Sequence, residues 1–91
     1  MERIKVNRPG RKELEHLGVE SWDIWEKHPQ EFDWAYTHQE HCYIIQGKAR
    51  IITDEEITEI KKGDYVVFPV GLKCRWKIAR KIKKYYQLKE I

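Results

Sequence analysis

Residues 74 to 78, "CRWKI", alternate strictly, with Cys74, Trp76 and Ile78 on one side of an extended chain and Arg75 and Lys77 on the other. Alternation of this period is the mark of a strand with one wet face, and it recurs along most of the sequence. "IKVNRPG" predicts a short strand stopped by Pro9-Gly10. "RKELEHLG" is the exception: it predicts about two helical turns ending at Gly18, a natural left-handed cap. Period two returns from Val19, with Trp22 and Ile24 set against Asp23 and Trp25, until His28-Pro29 bends the chain and "EFDWAY" resumes. "EHCYIIQGKARIIT" predicts a long strand sharply bent at Gly47. Asp54-Glu55 makes a hairpin turn, "EITEI" returns, Lys62-Gly63-Asp64 turns again, and "YVVFP" is a buried strand ended by Pro69. "KKYYQLKEI" follows "CRWKI" as a last strand.

Strands at this spacing with a single short N-terminal helix predict an all-β sandwich or barrel. The 91 residues form one domain, 1–91, because so short a chain buries only roughly 60 to 65% of its extended surface and cannot build two cores. Four Trp and five Tyr shift the expected core toward a few large rings. No apolar run approaches the length of a membrane span, and "MERIKVNRPG" lacks the apolar segment of a secretory signal, so the expectation is a soluble, cytoplasmic protein with no membrane partner. Cys42 and Cys74 are too few for a disulfide framework and are read as reduced thiols. A single Asn in a chain that is 36% charged fits selection for thermostability.

Charge is unevenly placed. Residues 1 to 12 hold five basic groups against one acid, and residues 73 to 91 hold eight against one. Such a stripe with Trp76, Tyr85 and Tyr86 interleaved is a nucleic-acid signal in some folds, but the alternation assigns Lys and Arg to the solvent face of strands. No nucleic-acid partner is expected.

Two spacings carry more information. Gly63 is followed after five residues by Pro69, after one more by Gly71, and after two more by Cys74; upstream, Glu40 precedes Gly47 by six intervening residues. Pro69 fixes one backbone angle and Gly71 permits a positive one, so the chain turns tightly and enters the next strand in a set register. A slip of one residue would exchange Cys74 for Arg75 on the inner face.

With these two motifs in order, "FDWAYTHQEHCYIIQG" and "GDYVVFPVGLKCRWKI", the chain resembles a small single-domain cupin, a jelly-roll β-barrel, and is most similar to the cupin family of ureidoglycine aminohydrolase. The resemblance implies nitrogen-rich metabolites as the substrate class. It also implies a metal quartet of a His-x-His pair, a Glu and a later His, but those positions here are Trp34, Tyr36, Glu40 and Cys74. Trp cannot ligate a metal and neutral Tyr is a poor ligand, so no metal cofactor is expected. The alternative is a metal-dependent hydrolase or isomerase of small metabolites, in which Glu40 and Cys74, supplemented by His38 or Cys42, hold a divalent transition metal.

What the inward positions offer is a pocket for a small polar or aromatic ligand. Trp34, Tyr36 and Trp76 would stack on a flat molecule, Glu40 would accept hydrogen bonds from it, and Cys74 lies beside them. If a reaction occurs, Glu40 is its acid or base. Cys74 as a nucleophile would need a base or a cation beside it, and Lys73 and Arg75 point the other way. The competing reading makes the rings and both thiols plain core. Glu40 fits that less well, because an unpaired buried charge costs several kcal/mol in typical proteins. So small a barrel would also suit a homodimer joined at edge strands or the N-terminal segment.

Overall fold

The computed structural model describes residues 2–90. Seven strands and one helix follow one another: β1 (Lys5–Asn7), α1 (Arg11–Leu17), β2 (Asp23–Lys27), β3 (Glu31–Ala35), β4 (Gln39–Ile52), β5 (Ile57–Lys61), β6 (Tyr65–Phe68) and β7 (Lys73–Lys89). The helix ends where the sequence placed its cap, at Gly18 with φ 71°, whose N–H reaches back to the carbonyls of Leu14 and Glu15.

The scaffold is the antiparallel pair β4 and β7, in register from Gln39 opposite Lys89 to Ile52 opposite Arg75. Each long strand serves two sheets. The first half of β4 pairs with β6 and its second half with β5, while the first half of β7 pairs with β3 and its second half with β2. The order is β1-β6-β4-β7-β2 at one end and β5-β4-β7-β3 at the other. The two ends fold toward each other as a jelly-roll sandwich, with β2 and β3 clasping β7 and β5 and β6 clasping β4. Among the described residues hydrogen bonds do not close the sheet into a continuous barrel, since β1, β2, β3 and β5 each pair on one side only.

The fold back is made possible by Gly47. Its φ is 97°, and a Cβ there would lie 2.0 Å from the carbonyl oxygen of Lys81. The β4–β7 register breaks between Ile44 and Ala49, and the buried positions of β4 pass from even (Cys42, Ile44) to odd (Ala49, Ile51) across the bulge. On β7 the parity never changes: Cys74, Trp76, Ile78, Ile82 and Lys84 all point inward. The two strands expected at "CRWKI" and "KKYYQLKEI" are therefore one strand of 17 residues. No Gly, Pro or Asn stands between them to make a turn, and the bend of β7 is taken up opposite Gly47, with the Ile78 N–H donating to Gln30 O at 2.9 Å.

Two other expectations are corrected. A short 3₁₀ turn over Val19–Ser21 delays the start of β2, so Trp25 rather than Ile24 faces inward; Ile24 is 51% exposed, and Trp22 packs edge-on against Tyr65 instead. The basic run of β7 lies outward as predicted over Arg75, Lys77, Lys81 and Lys83, which face Glu31, Asp33 and Glu26 on β2 and β3. Lys84 departs from it and is buried.

Both motif turns are held by hydrogen bonds. At the Pro69 corner the Gly71 N–H donates to Tyr36 O at 2.8 Å and the Tyr36 N–H donates to Leu72 O at 2.9 Å, so the corner is tied to the end of β3. At the Gly63 turn, buried Asp64 accepts from the Lys61 N–H at 2.8 Å and from Arg8 Nε at 3.0 Å, and Arg8 Nη2 donates to Lys62 O at 2.8 Å. Among the described residues no helix is long and apolar enough to cross a membrane.

Candidate functional site

Between the β2–β3 flank and β7 lies a cavity of about 270 Å³. Its walls are rings: Trp25 from β2, Phe32 and Trp34 from β3, Tyr36 just beyond it, and Trp76 and Tyr86 from β7. The antiparallel registers place them there, with Trp25 opposite Lys84 and Phe32 opposite Trp76. Phe32 stacks on Trp76 at 6.0 Å and 8°, and Trp25 leans on Trp76 at 5.6 Å. Thr37 and His38 stand at the mouth.

The polar feature of this cavity is an ion pair that sequence reasoning missed. Lys84 Nζ donates to Glu40 Oε2 at 2.6 Å, and the two side chains are only 6% and 10% exposed. The ammonium also lies 4.8 Å from the Trp25 ring centroid, 4.9 Å from that of Trp76 and 5.5 Å from that of Phe68. A short charge-assisted hydrogen bond and three ring faces together offset the desolvation of both charges. Glu40 is thus no isolated anion. The signal for Lys84 was present in the sequence: it shares the parity of Trp76 and Ile82, and it escaped because a lysine within a basic run reads as solvent-facing.

The candidate residues divide. Trp34, Tyr36, Glu40 and Trp76 all line the cavity. Trp34 is 51% exposed and forms the rim, edge-on to Tyr36 at 6.5 Å. Tyr36 is buried, accepts from Trp76 Nε1 at 3.3 Å and stacks on Phe68 at 4.6 Å. Burial, reinforced by the Glu40 carboxylate, raises its phenol well above the ordinary range, so it stays a neutral hydroxyl. Cys74 is not part of the cavity wall and packs in the apolar cluster with Leu72 and Ile78. Burial pushes its thiol up to about 11 and that of fully buried Cys42 up to about 12, although the Lys84 ammonium pulls both down. Both are thiols rather than thiolates at neutral pH.

The donor set does not fit a metal. Of the four positions matching the cupin quartet, Trp34 has no lone pair to give, Tyr36 and Cys74 hold their protons, and Glu40 is bonded to an ammonium. His38 is exposed, with Nδ1 3.0 Å from Thr37 Oγ1. Among the described residues no group of three or more His, Cys, Asp and Glu side chains converges on a point where an ion could sit.

Comparison with known proteins places this geometry in a family. The sequence model of the EutQ-like cupin domain matches residues 14–86. A DUF861 family protein from Thermotoga maritima superposes with a TM-score of 0.94 at 44% identity, covering 96% of this chain and 100% of that one. The EutQ protein of Clostridium difficile is 25% identical with a TM-score of 0.64, over 69% of this chain and 50% of that one, so this chain spans about half of its length. A DUF1255 protein of unknown function from Acidithiobacillus ferrooxidans shares the fold, with a TM-score of 0.65 at 17% identity over 68% of this chain and 60% of that one. No curated protein matches. With its two motifs, its jelly-roll sandwich and the match over residues 14–86, the chain belongs to the EutQ-like cupin family.

Proposed function

We propose that the chain binds a small, flat, polar metabolite in the cavity between the β2–β3 flank and β7, without a metal ion. The observation that carries this reading is a buried ion pair, Glu40 with Lys84, at the edge of a ring-lined space that the core does not fill. At about 270 Å³ the space falls just below the range of roughly 300 to 1,000 Å³ that takes drug-sized ligands, which favours a metabolite over a nucleotide. Trp25 and Tyr86 supply ring surface, Glu40 accepts ligand N–H groups, and Trp34 at the rim closes over the guest. The resemblance of both motifs to the ureidoglycine aminohydrolase family makes compounds with amide or ureido nitrogen the first class to test.

A ligand that binds only the folded state raises stability by about 2.7 kcal/mol at a hundredfold excess over its Kd. N-carbamoylglycine and hydantoin, titrated against the untagged protein, are expected to raise Tm and change tryptophan emission, and Trp34→Ala is expected to weaken both responses. Flat titrations with a full panel of amides and ureides would sink the reading.

A further inference from the structure

An ammonium has three donors, and Lys84 directs one of them at Glu40 Oε2. Among the described residues no other oxygen or nitrogen accepts from it, and the remaining neighbours are ring faces, which attract the charge without saturating an N–H as an oxygen would. The other Glu40 oxygen, Oε1, likewise receives no side-chain donor among the described residues. Both side chains line the cavity. A nine-tenths-buried pair on the cavity wall therefore keeps donor and acceptor capacity that no described side chain takes up.

We infer that Lys84 takes the electrostatic part of a metal ion in this cupin: its ammonium is the fixed cation that receives a carbonyl oxygen of the ligand, while Glu40 Oε1 accepts an N–H beside that carbonyl. This rests on the cavity reading above and adds to it the polarity of the guest. One role of a catalytic or binding metal is to draw electron density from a carbonyl oxygen, and a charge-assisted N–H donor in a dry, ring-walled site does the same more weakly. It differs from a metal in two testable ways. It cannot be removed by a chelator, and it disappears with one substitution. The disagreement between the cupin quartet and Trp34, Tyr36 and Cys74 then has a physical reason: with a cation tethered to β7, the chain needs no ligands to hold another.

The test uses untagged protein in EDTA with benzamide, a ring bearing a carbonyl and an adjacent amide N–H, and with aniline, an uncharged ring that keeps an N–H without the carbonyl. Benzamide is expected to bind and aniline to bind at least about tenfold more weakly, the size of one charge-assisted hydrogen bond. Lys84→Met is expected to lose about tenfold in benzamide affinity and Lys84→Arg to keep most of it. The double variant Glu40→Gln with Lys84→Met, which leaves no unpaired charge, serves if the single one does not fold, and the same loss is expected. Zinc or manganese added alone to EDTA-free protein should show no uptake that Glu40→Gln abolishes. Benzamide binding that is indifferent to Lys84 overturns this inference alone, and Glu40-dependent metal uptake by the wild-type chain overturns it together with the metal-free part of the cavity reading. Silence of benzamide, N-carbamoylglycine and hydantoin alike with the wild-type chain overturns the cavity reading as well.

Discussion

The two flanks of the sandwich are built to one plan and filled differently. β5 and β6 clasp β4 as β2 and β3 clasp β7, each pair passing from one sheet to the other round the bend of a long strand. The β5–β6 flank meets β4 through Ile60, Val66, Ile44 and Ile51, all fully buried. The β2–β3 flank meets β7 through Trp25, Phe32 and Trp76, whose centroids stay 5.6 to 6.3 Å apart, and a cavity remains between them. Branched aliphatic side chains interdigitate to crystal-like density, whereas flat rings, with Trp25 tilted against the stacked Phe32 and Trp76, leave gaps at their edges. One flank thus works as rigid support, and the other keeps room for a buried ion pair.

The bend shared by both flanks is the place to break the comparison. Gly47→Ala drives a Cβ into the backbone of Lys81 at a positive φ, and is expected to lower stability by about 4 kcal/mol or more, read as loss of soluble, cooperatively melting protein. Lys84→Met, confined to the ring flank, strands the Glu40 carboxylate and is expected to cost about 3 kcal/mol in denaturant melts. Adding Glu40→Met should restore most of that loss, because an apolar pair replaces a buried ion pair at little net cost. On the filled flank, Ile60→Val removes one methylene from a packed site and is expected to cost about 1 kcal/mol, whereas the far larger deletion Trp34→Ala at the open rim should cost about 0.5 kcal/mol. Equal costs per atom removed would show that the two flanks are packed alike.

The smallest effect lies where β4 meets β6, away from the cavity. His41 stands on the outer face, with Nδ1 2.7 Å from the Tyr65 hydroxyl and Nε2 3.1 Å from Gln39 Oε1, and burial, with Lys89 nearby, lowers its pKa from the ordinary 6.5. The folded chain therefore holds the imidazole neutral after the unfolded chain has taken up a proton. Stability from this group is complete above about pH 7 and is lost as pH falls through 6.5 toward the lowered value. Tm measured from pH 7.5 to 5 should show this slope, and His41→Gln should flatten it.

Most of the strand plan could be read from alternation, because a one-sided strand repeats every two residues and Gly47, Gly63 and Gly71 mark the turns that positive φ requires. The continuity of β7 could not, since a strand that bends against a partner's glycine carries no break in its own sequence. The helix cap at Gly18 was legible, but the 3₁₀ turn after it was not, and that turn changed which of Ile24 and Trp25 faces inward. In the site, Glu40 stood out as an acid on an inward parity. Its partner stayed hidden 44 positions away, because pairing across two strands depends on register and Lys84 alone looks like its exposed neighbours.

The grip of Arg8 on Asp64 makes the segment between β1 and α1 a latch. A protease that clipped the latch would leave a buried anion without its countercharge beside the turn that launches β6, and the damage would travel along β6 and β4 to Phe68 and Glu40. Handles for purification or display therefore have to leave the Arg8–Asp64 contact intact.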